Sequence, residues 1–253
     1  MENAPKKSFD QLFNEAKKDQ NIIGLFLGGS RGKGFENERS DYDIRMIVKD
    51  AAAARYKKRF RNKIKGLDLT VLSESEFSGH AVWLSATHWN RYDHTRAKAL
   101  IDRTGKIQEL IDDKGLVPKS KIKAYVAEQI DSYLNAFIRS IESSRKDDII
   151  GIRLEAAISI PCFLNAVFGV EGRTAPFADY LVRELSRYPL KKFPWPSGRI
   201  FSAMLKILET GDLKTQQELE RTVESFFRKE GYGRVFDAWD ERLPEAVKFK
   251  IGN

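Results

Sequence analysis

A single cysteine, Cys162, in 253 residues excludes an intrachain disulfide. A chain that forgoes disulfides is expected in a reducing, cytoplasmic setting. Cys162 lies in the apolar stretch Ile158–Val167 and reads as a small core residue. Histidine is nearly as scarce: His80, His88 and His94 stand eight and six residues apart, a spacing that matches no familiar zinc motif. Met1–Lys7 carries charge with no apolar run behind it, so no signal peptide is expected. No window approaches the roughly 18 apolar residues of a membrane span, so no membrane role is expected either. Internal repeats and low-complexity segments are absent. Acidic residues are the minority, 36 against 44 Lys and Arg, and the resulting net charge of +8 favours anionic ligands such as nucleotides, pyrophosphate or nucleic acid. The densest basic runs, Arg55–Lys63 and Lys119–Lys123, read as solvated helix faces.

What is present is a soluble globular composition, 42% hydrophobic and 32% charged, sufficient to build a core. Residues 8–20 form an amphipathic helix behind Ser8. Asn21–Leu27 is a short apolar strand ending at Gly28-Gly29, and Ile44–Val48 is a second. A basic helix over 51–63 and a third strand, Leu67–Leu72, follow. Ser73 opens a further helix. Lys98–Ile107 reads as a strand, a turn at Thr104-Gly105 and a resumption. After Gly115 and Pro118 the period becomes helical. Long helices are expected over 120–144 and 149–168, the second kinked by Pro161. Shorter ones follow at 177–186, 199–210, 213–230 and 231–239, with a proline-rich loop at 191–198. The division is therefore residues 1–117, alternating strands and helices, and residues 118–253, all helical.

The chemistry concentrates in residues 22–48. Gly28-Gly29-Ser30 lets backbone approach an anion without a Cβ in the way, and the Ser30 hydroxyl donates to a phosphate oxygen. Arg31 and Lys33 add charge. Asp41 and Asp43, two residues apart at a strand start, point to one face. Convergent carboxylates are costly without a cation between them, and Mg²⁺ prefers such oxygen ligands. Asp68 interrupts the apolar strand Leu67–Leu72, where a lone buried carboxylate is expensive.

Gly-Ser, a loop, then Asp-x-Asp-Ile leading an apolar strand resembles the signature of the nucleotidyltransferase superfamily, the polymerase-beta-like fold. Residues 22–72 carry it. Trp89–Tyr92 with Ala99–Ile107, Arg153–Ala157 and Val170–Phe177 resemble bacterial small-substrate nucleotidyltransferases of the aminoglycoside and lincosamide type. The resemblance implies an α+β protein: a mixed-sheet catalytic domain with flanking helices, then an acceptor-binding helical bundle. It implies transfer of an NMP group, AMP from ATP or another NTP in its place, to an acceptor hydroxyl, with release of pyrophosphate. Asp41, Asp43 and Asp68 would hold Mg²⁺ in a two-metal site, Asp68 being the third carboxylate. Gly29, Ser30 and Arg31 would contact the triphosphate, and Glu155 would serve as general base. Glu142, Asp147, Asp148, Glu74 and Glu76 compete for that last role. Arg173 would contact an anion or cap a helix. By the same analogy the acceptor is a small molecule such as an antibiotic. The basic second domain favours a neutral or anionic acceptor over a polycation, and a toxin-type enzyme acting on tRNA or protein is a rival. A non-catalytic nucleotide-binding regulator is another. Monomer and homodimer both fit.

Overall fold

Alternation builds the first unit. The structure, a computed structural model, describes residues 4–62 and 64–250. Residues 1–3 of the Met1–Lys7 reading therefore fall outside the described residues, as does Lys63, and the basic helix expected over 51–63 already ends at Arg59. Strands β1 (Ile22–Leu27), β2 (Tyr42–Val48), β3 (Leu67–Ser73) and β4 (Ala99–Asp102) form one sheet in the order β3-β2-β1-β4. The pairs β1–β2 and β1–β4 are antiparallel, whereas β2–β3 is parallel. This is a mixed sheet with helices on its flanks.

The two faces have separate cores. Tyr42, Ile44, Met46 and Val48 pack with Leu12, Ala16 and Tyr56, which come from α1 (Ala4–Lys18) and α3 (Ala53–Arg59). Ile47 faces the other way and packs with Phe26, Phe77 and Ile107. These last two belong to α4 (Glu74–Gly79) and α6 (Ile107–Lys114). Between the strands lie α2 (Gly29–Lys33) and α5 (Arg91–His94). Ser73 starts α4 with a reciprocal capping box to Glu76.

One expectation fails here. The resumption after Gly105 is a helix, not strand. Asp102 turns the chain, its carboxylate accepting from the Gly105 and Gln108 amides at 2.7 and 3.0 Å. Ile107, Leu110 and Ile111 then recur at helical spacing, toward the sheet.

The chain divides into two compact units between Pro118 and Lys119. The second is helical: α7 (Ile122–Ser144), α8 (Ile149–Gly169), α9 (Leu181–Arg187), α10 (Ser197–Thr210), α11 (Leu213–Lys229), α12 (Gly233–Asp237) and α13 (Arg242–Lys248). Ile130, Leu134 and Phe137 of α7 meet Phe163 and Val167 of α8 and Val223 and Phe227 of α11. Phe193 and Trp195, from the proline-rich loop, are buried in the same core. The sequence reading of membrane-span length also needs correction. Ile149–Gly169 is long and apolar enough to cross a bilayer by length and composition, and runs through Pro161 unbroken. Part of its apolar content serves the core, through Ala156, Ile160, Phe163 and Phe168, whereas Ile149, Ile150, Leu154 and Ile158 are exposed.

Candidate active site

Strand β2 sets the site. Tyr42 and Ile44 face one core, so Asp43 and Arg45 face the other side of the sheet. The parallel register places Asp43 beside Asp68 and Arg45 beside Thr70. Two carboxylates thus stand on adjacent strands and on one face. Asp41, exposed, precedes the strand.

Asp68 corrects an expectation. It is exposed, because β3 is the edge strand, so the argument from costly burial does not apply to it. Its place rests on the register with Asp43.

Gly29 has a role that differs from the expected phosphate contact. Its φ is +52°, and a Cβ there would lie 1.8 Å from Asp43 Oδ2. The missing side chain is what admits the Asp43 carboxylate. The Gly29 amide is also committed, donating to Asp93 Oδ1 at 2.8 Å. Gly28 is held the same way: its amide donates to the Asp43 carbonyl at 2.8 Å, and a Cβ on it would meet Asp93 Oδ2 at 2.6 Å. The glycine pair is a spacer between two carboxylates.

Asp93 was not among the residues singled out from sequence, yet it organises the turn. It is buried, and its Oδ2 pairs with Arg45 Nη2 at 3.1 Å. Lys33, with a fully buried side chain, donates from Nζ to the Asp93 carbonyl at 3.1 Å and lies 3.8 Å from Oδ1. Lys33 therefore serves Asp93 instead of adding charge at the surface. Burial pushes the Asp93 carboxyl up, but Arg45, Lys33 and the Gly29 amide outweigh it and hold it below its ordinary value. Its neighbour His94 is pushed down to about 4, chiefly by burial.

Arg31 is committed to the loop before Asp41. Its Nε donates to the Asp41 carbonyl at 2.9 Å and its Nη2 to the Ser40 carbonyl at 2.8 Å, while the guanidinium lies 4.0 Å over the Tyr42 ring. The Ser30 side chain makes no hydrogen bond among the described residues. Glu155 belongs to the second unit and is ion-paired at 2.7 Å with Arg139 Nε. Arg173 is tied to Glu171, Glu184 and the Tyr188 carbonyl.

The electrostatics show uncompensated negative charge. The Asp43 carboxyl is pushed up by burial and by Asp41, with Asp93 and Asp68 adding, against Arg45 alone. Arg45 itself is spent on Asp93. Among the described residues no three carboxylate, His or Cys side chains are already gathered closely enough to hold a metal ion. Mg²⁺ fits this donor set nevertheless, because it takes one or two carboxylates and completes its shell with water and substrate phosphate oxygens.

Gly29 can be tested by stability alone. Gly105 also has positive φ, +72°, but an added Cβ there meets nothing within 4 Å. Gly105→Ala is expected to cost about 1 kcal/mol, the backbone penalty alone. Gly29→Ala is expected to cost at least about twice that, since Asp43 must also move. Urea denaturation of the two variants reads the difference, and equal losses would contradict the spacer role.

No protein-family profile and no curated protein matches the chain. Among solved structures it is similar to a nucleotidyltransferase-like protein. That protein comes from Exiguobacterium sibiricum 255-15. The two share 10% identity with a TM-score of 0.45, over 95% of this chain and 77% of the other. At that level the likeness carries no functional argument, which rests on the side chains above.

Proposed function

We propose that the first unit is a Mg²⁺-dependent nucleotidyltransferase that moves AMP from ATP to a hydroxyl of a small neutral or anionic acceptor in the cytoplasm. One observation carries the reading: Asp43 and Asp68 share a face in cross-strand register, and Gly29 lacks the side chain that would displace Asp43. Such a carboxylate shelf, short of positive charge, calls for a hard cation.

Asp43 and Asp68, with Asp41 at the entrance, would hold Mg²⁺. Bound there, the ion would neutralise the triphosphate and the departing pyrophosphate. The Ser30 hydroxyl donates to a phosphate oxygen. The acceptor oxygen bonds to the α-phosphorus, the bond to the bridging oxygen of the β-phosphate breaks, and pyrophosphate leaves. Asp68, exposed on the edge strand, takes the hydroxyl proton. Glu155 is the less suitable base, because its carboxylate already accepts from Arg139.

The test is Asp43→Asn. Calorimetry with ATP and Mg²⁺ should show metal-dependent binding in the parent chain. The variant should lose roughly a hundredfold or more in pyrophosphate release. Undiminished binding and transfer would end the assignment. A mass-shift screen with ATP, CTP, GTP and UTP against pooled small molecules, tRNA and protein identifies the acceptor class. Because Asp43 is pushed up, Mg²⁺-dependent ATP binding should weaken as pH falls through that raised value, at a higher pH than for an ordinary aspartate.

A further inference from the structure

The helical unit holds a cavity of about 1460 Å³ that the proposed transfer does not use. Its floor is apolar, formed by Ile152, Leu213, Val247 and Phe249. Its rim carries five cations, Lys206, Lys214, Arg221, Lys248 and Lys250, against one carboxylate, Asp212. Across residues 119–253 the ratio is 22 Lys and Arg to 19 Asp and Glu, so the cavity concentrates positive charge that the rest of the unit balances. Asp212 is already spent, pairing with Lys206 at 3.0 Å and capping α11 through the Thr215 amide. Lys214, Arg221, Lys248 and Lys250 make no ion pair among the described residues.

The walls are fixed by specific contacts. Gly211, at φ +65°, turns α10 into α11 so tightly that a Cβ would lie 2.5 Å from Ile152 Cγ2. Gln217, nearly buried, donates from Nε2 to the Ala246 and Phe249 carbonyls at 3.0 and 2.8 Å. That clamp lays the C-terminal segment along α11. Gln217 itself also lines the cavity.

The geometry points to a second ligand site, one that binds a small phosphorylated organic molecule with a flat apolar body. The body would lie on Phe249 and Leu213, and the phosphate among the unpaired cations. An apolar floor with convergent polar groups is the usual make-up of a small-molecule pocket. Unpaired lysines and an arginine match phosphate by charge-assisted hydrogen bonds. The inference stands independently of nucleotidyl transfer.

Pyridoxal 5′-phosphate is the probe, used on the full chain. Its aldehyde condenses with a lysine amine, releasing water, and borohydride reduces the imine, so peptide mapping locates the site. At low probe ratio the label should fall on Lys206, Lys214, Lys248 or Lys250. Pyridoxal, without the phosphate, should label them about tenfold less. Phenyl phosphate should compete about tenfold better than inorganic phosphate, since only it reaches the floor. The double variant Lys214→Glu, Arg221→Glu alters two exposed side chains without ion-pair partners. It should fold normally by circular dichroism and lose the preferential labelling. Labelling spread evenly over lysines such as Lys191 and Lys192, or unchanged in the double variant, overturns the proposal. So does displacement of the label by tRNA but not by phenyl phosphate, which would make the cavity part of a nucleic-acid track.

Discussion

Asp93→Ala is expected to destabilise the first unit by about 3–5 kcal/mol, the largest single loss in that unit. The value follows from what is left behind. Lys33 has a fully buried side chain and Arg45 is largely buried, and both meet Asp93. Without the carboxylate, Lys33 stays fully buried without its ion-pair partner, Arg45 keeps only the charge of Asp43, and the Gly29 amide loses its acceptor. Denaturant unfolding followed by circular dichroism measures the loss. A change below about 1 kcal/mol, the range of surface pairs, would show that the network is not a stabilising element. The pH dependence supplies a second reading. Asp93 is held below the ordinary aspartate value, so its contribution is fully present above the unfolded pKa of about 3.9. It is lost as pH falls through the lower folded value. The parent should therefore lose stability on acidification below about pH 4, and Asp93→Asn should flatten that part of the curve.

That network also shows where the sequence was informative and where it was not. The two-residue period of a strand is local, so Asp43 could be turned away from Tyr42 on paper, and the structure places them on opposite faces. Arg45 was legible by the same rule, as a cation two residues beyond Asp43. Asp93 was not, because it reaches Gly29 across 64 residues of sequence. In its segment, Arg91–His94, all four side chains are buried. One signal was available: Lys33 and Arg45 are cations beside a carboxylate motif and in need of a counter-charge. The spacer role of Gly29 was not legible, since a φ near +52° and a 1.8 Å approach depend on where Asp43 arrives. Asp68 shows the reverse. Its strand was readable, but nothing local says that β3 is an edge, so its exposure was missed. The last helix, α13, was not expected, and it contains Pro244. Proline in a first turn removes only an amide that has no helical partner, and Leu243 and Ala246 still reach the core.

The second large effect lies in the helical unit and has the opposite sign: Glu220→Leu is expected to stabilise the protein at neutral pH. Glu220 is completely buried on α11, and among the described residues neither carboxyl oxygen has a hydrogen-bond partner of proper geometry. The Tyr133 hydroxyl beside it, also buried, forms no hydrogen bond of proper geometry. Burial, reinforced by the charge of Glu224, pushes the Glu220 carboxyl well above the usual range. Folding therefore takes up a proton. The contribution of Glu220 is fully present below the unfolded value of about 4.3 and is lost as pH rises toward the folded one. Across that window stability should fall by up to about 1.4 kcal/mol per pH unit. Replacing the carboxyl by an apolar side chain of similar bulk removes two unsatisfied oxygens and the proton linkage together. The gain should be about 1–3 kcal/mol at pH 7–8 and should shrink as pH approaches 4. Urea titrations of parent and variant at pH 4.5, 6 and 7.5 decide the matter. A difference that stays constant with pH would mean that the carboxyl titrates normally, and a destabilised variant at pH 7.5 would mean that Glu220 has polar partners in solution. The contrast with Asp93 is one of compensation: Asp93 meets two cations and an amide and gives up its proton easily, while at Glu220 the Tyr133 hydroxyl and the charge of Arg228 are too weak to offset burial.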